Sequence, residues 1–164
     1  MGRTRSGLLA GALRAVREQG PRHATMADIA GFAGVAKATL YNHFRTKDDV
    51  WSALIAAEVE TLAAECAQRP LAEALEYAAA RLSAHPAVRR LATADPAALA
   101  GLVTGSDAPA WQAARQAVRT ALDAAGRRGD DIVLRWLSSH LTTPGSPDAI
   151  REGAAALVAG LPEH

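Results

Sequence analysis

Apolar side chains recur every three to four residues along most of the chain, with polar side chains between them. Over residues 6–19, for example, Leu9, Leu13 and Val16 share one face, which is the pattern of an amphipathic α-helix. Prolines and glycines interrupt the pattern. The segments between the interruptions are predicted as helices: 6–19, 25–33, 36–43, 47–68, 71–84, 86–94, 96–103, 110–126, 130–142 and 148–160. The sequence therefore predicts an all-α protein.

Local signals fix the start of two of these helices. Thr25 with Asp28, and Thr46 with Asp49, each have the spacing of a capping box, in which a threonine hydroxyl and an acid three residues later satisfy free backbone N–H groups. Gly34 separates the second and third predicted helices and can adopt the left-handed conformation that a tight turn needs. Two short helices joined at such a glycine have the spacing of a helix-turn-helix.

Composition agrees with this interpretation and adds an asymmetry of charge. Alanine, the best helix former, occurs 40 times in the 164 residues. Residues 1–50 carry a net charge of +4 and residues 51–164 carry −3. A basic amino-terminal third indicates a module that binds a polyanion, although an ordinary solvated surface gives the same count.

Other function classes lack their sequence signals. The single cysteine, Cys66, excludes an intramolecular disulfide. The histidines and acids show no metal-ligand spacing, and no catalytic or nucleotide-binding motif occurs. We therefore expect no metal, no cofactor and no enzymatic activity. No uncharged apolar run approaches the roughly 18 residues of a membrane helix, so we expect a cytoplasmic protein that does not contact a membrane.

The predicted helix over 36–43 lies in the segment GVAKATLYNHFRTK and carries few apolar side chains. Its inward face requires only Ala36, Leu40 and Phe44. Its outward face offers hydrogen-bonding groups and small contacts, which is what a helix in the DNA major groove presents to base edges and phosphates.

The motifs T-x-x-D-I-A-x-x-A-G-V and L-Y-x-H-F-x-x-K-D, read from TMADIAGFAGVAKATLYNHFRTKDDVW, give the chain a family likeness. Over about residues 6–55 the sequence resembles the tetracycline-repressor (TetR) family of bacterial regulators. The resemblance implies a three-helix DNA-binding domain at 1–46 and a helical effector-binding and dimerisation domain at 47–164. It also implies double-stranded DNA with an inverted repeat as the partner.

The resemblance further implies which side chains contact DNA. Lys37 and Ala38 correspond to positions that read base edges, Tyr41 and His43 to positions that hold the backbone, and Asn42 to either role. Thr25 and Lys47 correspond to phosphate contacts at the start of a helix, where backbone N–H groups favour anions. The full set of expected DNA contacts is Thr25, Lys37, Ala38, Thr39, Tyr41, Asn42, His43 and Lys47.

The last two predicted helices are apolar on more than one side, so more than a short chain is needed to cover them. The resemblance implies that they pair with their copies in a homodimer, whereas a pair packed only within one chain is the alternative. The expected interface consists of Val133, Leu134, Leu137, Leu141, Ile150, Gly153, Ala154, Leu157, Val158 and Leu161.

The remaining segment, about 51–126, is left to form an effector pocket. Its expected wall is Leu54, Tyr77, Leu82, Leu102, Val103 and Trp111. The charged groups that can turn inward there are Arg81, Arg89, Arg90 and Arg115. A small, mostly apolar ligand suits such a wall, but a close-packed core without a pocket is equally compatible with these residues.

The function favoured by the sequence is a dimeric repressor that a small ligand releases from its operator. One alternative is a DNA-binding regulator that answers to a protein partner or to no effector. A third hypothesis, of another class, is a helical small-molecule-binding protein or enzyme.

Overall fold

The computed structural model describes residues 2–104 and 109–163, and these residues form ten α-helices and no strand. The prediction of an all-α protein is confirmed, and the predicted bounds agree closely except that the first helix begins at Gly2. The helices are α1 Gly2–Gln19, α2 Met26–Ala33, α3 Lys37–His43, α4 Lys47–Cys66, α5 Leu71–Ala84, α6 Pro86–Ala94, α7 Pro96–Thr104, α8 Pro109–Ala124, α9 Asp130–Thr142 and α10 Pro147–Gly160.

The first hydrophobic core joins α1, α2, α3 and the first two turns of α4. Leu8, Ile29, Leu40 and Val50 are fully buried in it. The tightest contact is between α1 and α2, where a Cβ atom on Gly11 would lie 2.7 Å from the Cβ of Ala33. The backbones of these two helices therefore touch.

The second core belongs to the carboxyl-terminal helices. Leu75 of α5, Leu122 of α8, Val133 of α9 and both Ala154 and Leu161 at α10 are buried together. Helices α9 and α10 each pack against α5, and α4 packs along α8. The helices after α4 thus form a layered bundle with its own interior.

Half of the predicted dimer residues lie inside this bundle, and for them the prediction is wrong. Val133, Leu134, Ile150, Ala154 and Leu161 are each at least 95% buried within one chain, so a partner cannot reach them. The reason is that one apolar face of α9 and of α10 packs on α5. The other five, Leu137, Leu141, Gly153, Leu157 and Val158, are half-buried.

Polar contacts connect the loop between α1 and α2 to the rest of the molecule. The guanidinium of Arg22 pairs with the carboxylate of Asp95 at the junction of α6 and α7. Arg90 of α6 donates to the carbonyl of Glu18 at 3.2 Å. The orientation of the helix-turn-helix is thereby tied to the carboxyl-terminal helices as well as to α4.

Candidate DNA-binding site

The start of α2 is fixed by the predicted capping box. The amide of Asp28 donates to the Thr25 hydroxyl at 3.2 Å, and the Thr25 amide donates to the Asp28 carboxylate at 2.9 Å. The Thr25 hydroxyl also donates to that carboxylate at 2.6 Å. These hydrogen bonds hold the pKa of Asp28 below its ordinary value. Both polar groups of Thr25 are therefore already occupied, so a phosphate contact there must replace a bond within the capping box.

The turn between α2 and α3 depends on Gly34. Its φ of 67° lies in the left-handed region, which side chains with a Cβ rarely adopt. The Gly34 amide donates to the carbonyl of Gly31 at 3.1 Å, and the Val35 amide donates to that of Ala30 at 3.0 Å. The predicted turn is confirmed, and it fixes the angle between the two helices.

Helix α3 presents a polar, exposed surface on a small buried base. Leu40 is fully buried and Phe44 is 5% exposed, as the sequence predicts. The predicted inward position of Ala36 is wrong, because Ala36 is exposed. It is the N-cap residue, which has an extended backbone and precedes the helix.

The side chains predicted to contact DNA from α3 lie together on this surface. Thr39 is half-buried, Tyr41 is 46% exposed, and the others are exposed. The structure therefore brings together Lys37, Ala38, Thr39, Tyr41, Asn42 and His43.

Lys47 lies at the start of α4, but its ammonium is directed elsewhere. Its Nζ donates to the carbonyl of Pro21 at 3.0 Å and to that of Arg22 at 3.1 Å. Two of the three ammonium donors thus tie α4 to the loop between α1 and α2. A role limited to phosphate binding does not account for these bonds, and sequence spacing gives no sign of them.

The predicted pocket residues are not gathered around one cavity. Leu54 is buried in the first core, and the Tyr77 hydroxyl donates to the Glu65 carboxylate at 3.0 Å. The Trp111 indole donates to the Leu102 carbonyl at 2.8 Å, so these two residues do meet. Leu82 and Val103 are half-buried on α5 and α7.

The four arginines expected to turn into a pocket all have partners in the chain. Arg81 pairs with Glu65, and Arg115 pairs with Asp130. Arg89 donates to the carbonyls of His140 and Leu141, while Arg90 holds the end of α1 as described above. Their charges serve contacts between helices.

Two surface grooves occur elsewhere in the described molecule. One, of about 360 Å³, lies between α5 and the loop that joins α9 to α10, and Ser83, Gly145 and Ile150 are among its lining residues. The other, of about 300 Å³, lies beside the loop between α8 and α9. Neither includes a residue predicted for the pocket.

Within residues 2–104 and 109–163, no group of three or more histidine, cysteine or acidic side chains has the arrangement of a metal site. In the same part of the chain, no helix combines the length and apolarity required to cross a bilayer. Burial raises the pKa of the Cys66 thiol, as for a cysteine that fills space between helices.

Residues 8–54 match the model of the bacterial regulatory proteins of the tetR family. The sequence matches no curated protein.

Several solved structures share the fold over nearly the whole chain. The repressor AlkX from Dietzia sp. strain DQ12-45-1b, implicated in n-alkane biodegradation, superposes with a TM-score of 0.73 at 22% identity, covering 94% of this chain and 92% of that one. The fatty acid degradation regulator FadR from Bacillus halodurans gives 0.68 at 18% identity, covering 100% and 99%. FadR from Bacillus subtilis, solved with stearoyl-CoA, gives 0.54 at 17% identity, covering 94% and 97%.

The matched segment contains the capping box, the glycine turn and the exposed surface of α3. The full set of helices has the fold of these solved structures. The amino-terminal part of the chain, residues 8–54, is therefore similar to the bacterial regulatory proteins of the tetR family.

Proposed function

We propose that this DNA-binding regulator is a dimeric repressor that binds an inverted-repeat operator through α3. The observation that carries the proposal is the exposed, polar outer surface of α3 on a base fixed by Leu40 and Gly34. A rigid helix with such a surface fits the major groove of B-DNA. We keep residues 1–46 and 47–164 as the proposed domains, with the first core continuing into α4.

The roles proposed for the α3 side chains are those that the family resemblance implies. Lys37 and Ala38 lie in its first turn and read base edges, while Tyr41 and His43 lie near its end and hold the phosphate backbone. Asn42 offers both a donor and an acceptor, which suits an adenine edge. Lys47 has one remaining donor for a phosphate and otherwise positions the loop before α2.

Selection of duplexes from a random double-stranded library, followed by fluorescence anisotropy, tests this proposal. Lys37→Ala should weaken binding to the selected duplex by about 1–3 kcal/mol. Asn42→Ala should also weaken it, whereas Gln112→Ala, which removes an exposed amide from α8, should not. A chain that enriches no duplex, or equal losses in all three variants, would contradict the proposal.

A homodimer is proposed through a surface that shares Gly153 with the predicted one and adds Ile132 and Ala156. Trp136 of α9 contacts Gly153 of α10, since a Cβ on that glycine would lie 3.3 Å from the indole. Ile132 is one turn before Trp136 and is 54% exposed. Ala156 is exposed on the next turn of α10. An exposed isoleucine on α9 and an exposed small residue on α10 allow two helix pairs to approach closely, as a symmetric interface requires.

Sedimentation velocity and footprinting test the dimer. Ala156→Glu should give a monomer that protects no inverted repeat, because it buries a charge in the proposed interface. Glu152→Gln, on the same helix and exposed, is the control. Deleting α9 and α10 is unsuitable, because it would remove Val133, Ala154 and Leu161 from the second core. A wild-type monomer, or a dimer unaffected by Ala156→Glu, would contradict the interface.

A small, mostly apolar effector is proposed from the relatives, one of which is implicated in n-alkane biodegradation and another of which was solved with stearoyl-CoA. The proposed effector-binding site is the half-buried layer around Leu102, Val103 and Trp111. A ligand must move α7 or α8 to enter this layer. An effector-independent regulator is the second candidate, favoured by the absence of any predicted wall residue from the two grooves.

A further inference from the structure

The DNA-facing side of the molecule includes an arginine outside the helix-turn-helix. Arg5 lies near the start of α1, and its guanidinium carbon is 5.4 Å from the centre of the Phe44 ring. Phe44 directly follows α3, and its ring centre is 6.4 Å from that of His43. The Arg5 guanidinium and the His43 imidazole therefore lie within about 12 Å of each other.

This position is close to where DNA would pass. A helix seated in a major groove about 12 Å wide has the phosphates of one strand on each side. Arg5 is exposed, and no carboxylate pairs with it among the described side chains. Contact with a ring uses no N–H group of the guanidinium, so its donors stay available to a phosphate.

We propose that Arg5 is a phosphate-binding residue that extends the DNA interface from α3 onto α1, with the Phe44 ring holding its guanidinium in place. This inference rests on the proposed function. It assigns the start of α1 a positioning role on the DNA backbone, separate from the base reading by α3.

The chain offers a matched control in Arg14. Its guanidinium carbon lies 5.5 Å from the centre of the Phe32 ring, and Arg14 is also exposed. Nine residues separate the two arginines, so at about 3.6 residues per turn they project from opposite sides of α1. Arg14→Gln therefore removes one positive charge and one ring contact, as Arg5→Gln does, but the ring is that of Phe32 near the end of α2.

The experiment measures how the affinity of the full chain for its selected duplex depends on salt. Arg5→Gln should reduce the slope of log K against log salt by about 0.9 for each bound protomer, because one phosphate contact is lost. Arg5→Lys should keep the slope, since the charge remains. Arg14→Gln should also keep it. Melting temperatures should fall by similar amounts in Arg5→Gln and Arg14→Gln if both arginines cover their rings equally.

The possible outcomes separate the two proposals. A wild-type slope in Arg5→Gln, with Lys37→Ala still weakening binding, would overturn the role of Arg5 and leave the proposed function intact. Equal slope changes in Arg5→Gln and Arg14→Gln would also overturn it, because a general effect of charge would then suffice. A wild-type chain that binds no duplex would overturn both.

Discussion

The contact between α1 and α2 makes a quantitative prediction about Gly11. A Cβ at this position would lie 2.7 Å from the amide nitrogen of Ala33 and 2.9 Å from its Cα. Because these are backbone atoms, they cannot swing aside as a flexible side chain does. Gly11→Ala must therefore push the two helices apart.

The expected size follows from two opposing effects. Overpacking of this kind costs about 1–3 kcal/mol, and the backbone contact favours the upper end. Replacing glycine by alanine inside a helix returns about 1 kcal/mol. The net loss is about 2 kcal/mol, or roughly 4–8 °C in melting temperature for a chain of this size. DNA affinity should fall as well, since α2 sets the position of α3.

Gly7 provides the control within the same helix. No atom lies within 4 Å of a Cβ placed there, so Gly7→Ala should raise the stability by up to about 1 kcal/mol. Adding Ala33→Gly to Gly11→Ala should not restore stability, because the clashing nitrogen and Cα remain. Urea and thermal unfolding measure all three variants. If Gly11→Ala and Gly7→Ala both stabilised the protein, the close approach of α1 and α2 would be refuted.

Three other perturbations have defined outcomes. Thr46→Ala should lower the free energy of unfolding by about 1 kcal/mol through loss of the α4 cap, while Thr46→Ser should not. Equal free energies of unfolding for Thr46→Ala and the wild type would contradict this. Burial lowers the pKa of His140, so the unfolded chain binds that proton more tightly and stability should fall as the pH drops below about 6.5. His140→Gln should flatten this decline in urea unfolding at pH 5–7.5, and an unchanged decline would exclude the histidine. Stearoyl-CoA is a probe for the proposed effector site: a ligand that binds only the folded chain adds about 2.7 kcal/mol of stability at 100 times its Kd, and no thermal shift with it or any other acyl-CoA would favour the effector-independent regulator.

The features that the sequence predicts well are those encoded by neighbours in the chain. Thr25 and Asp28 lie three residues apart, and Gly34 needs only its own backbone conformation to form the turn. Leu40 faces inward because a seven-residue helix has few ways to bury one large side chain. These elements define α2 and α3, and with them most of the candidate site.

The errors concern side chains whose surroundings come from distant parts of the chain. Lys47 donates to the carbonyls of Pro21 and Arg22, more than twenty residues away, and sequence spacing gave no sign of these bonds; its phosphate contact stays a prediction. Val133 and Ala154 lie on apolar stripes, and a stripe does not distinguish α5 of the same chain from a helix of a partner. The close contact of Gly11 with α2 could not be predicted from the sequence, because it depends on which helix packs against α1 at that point.

The two lysines differ in a way that makes the protein suited to chemical footprinting. Lys37 and Lys47 are the only lysines in the chain. Lys37 is exposed on α3, whereas the Lys47 ammonium is held by two carbonyls. An amine-reactive reagent should therefore modify the Lys37 side chain much faster than the Lys47 side chain. Loss of that modification when DNA is added would report occupation of the recognition surface by mass spectrometry, without any engineered label.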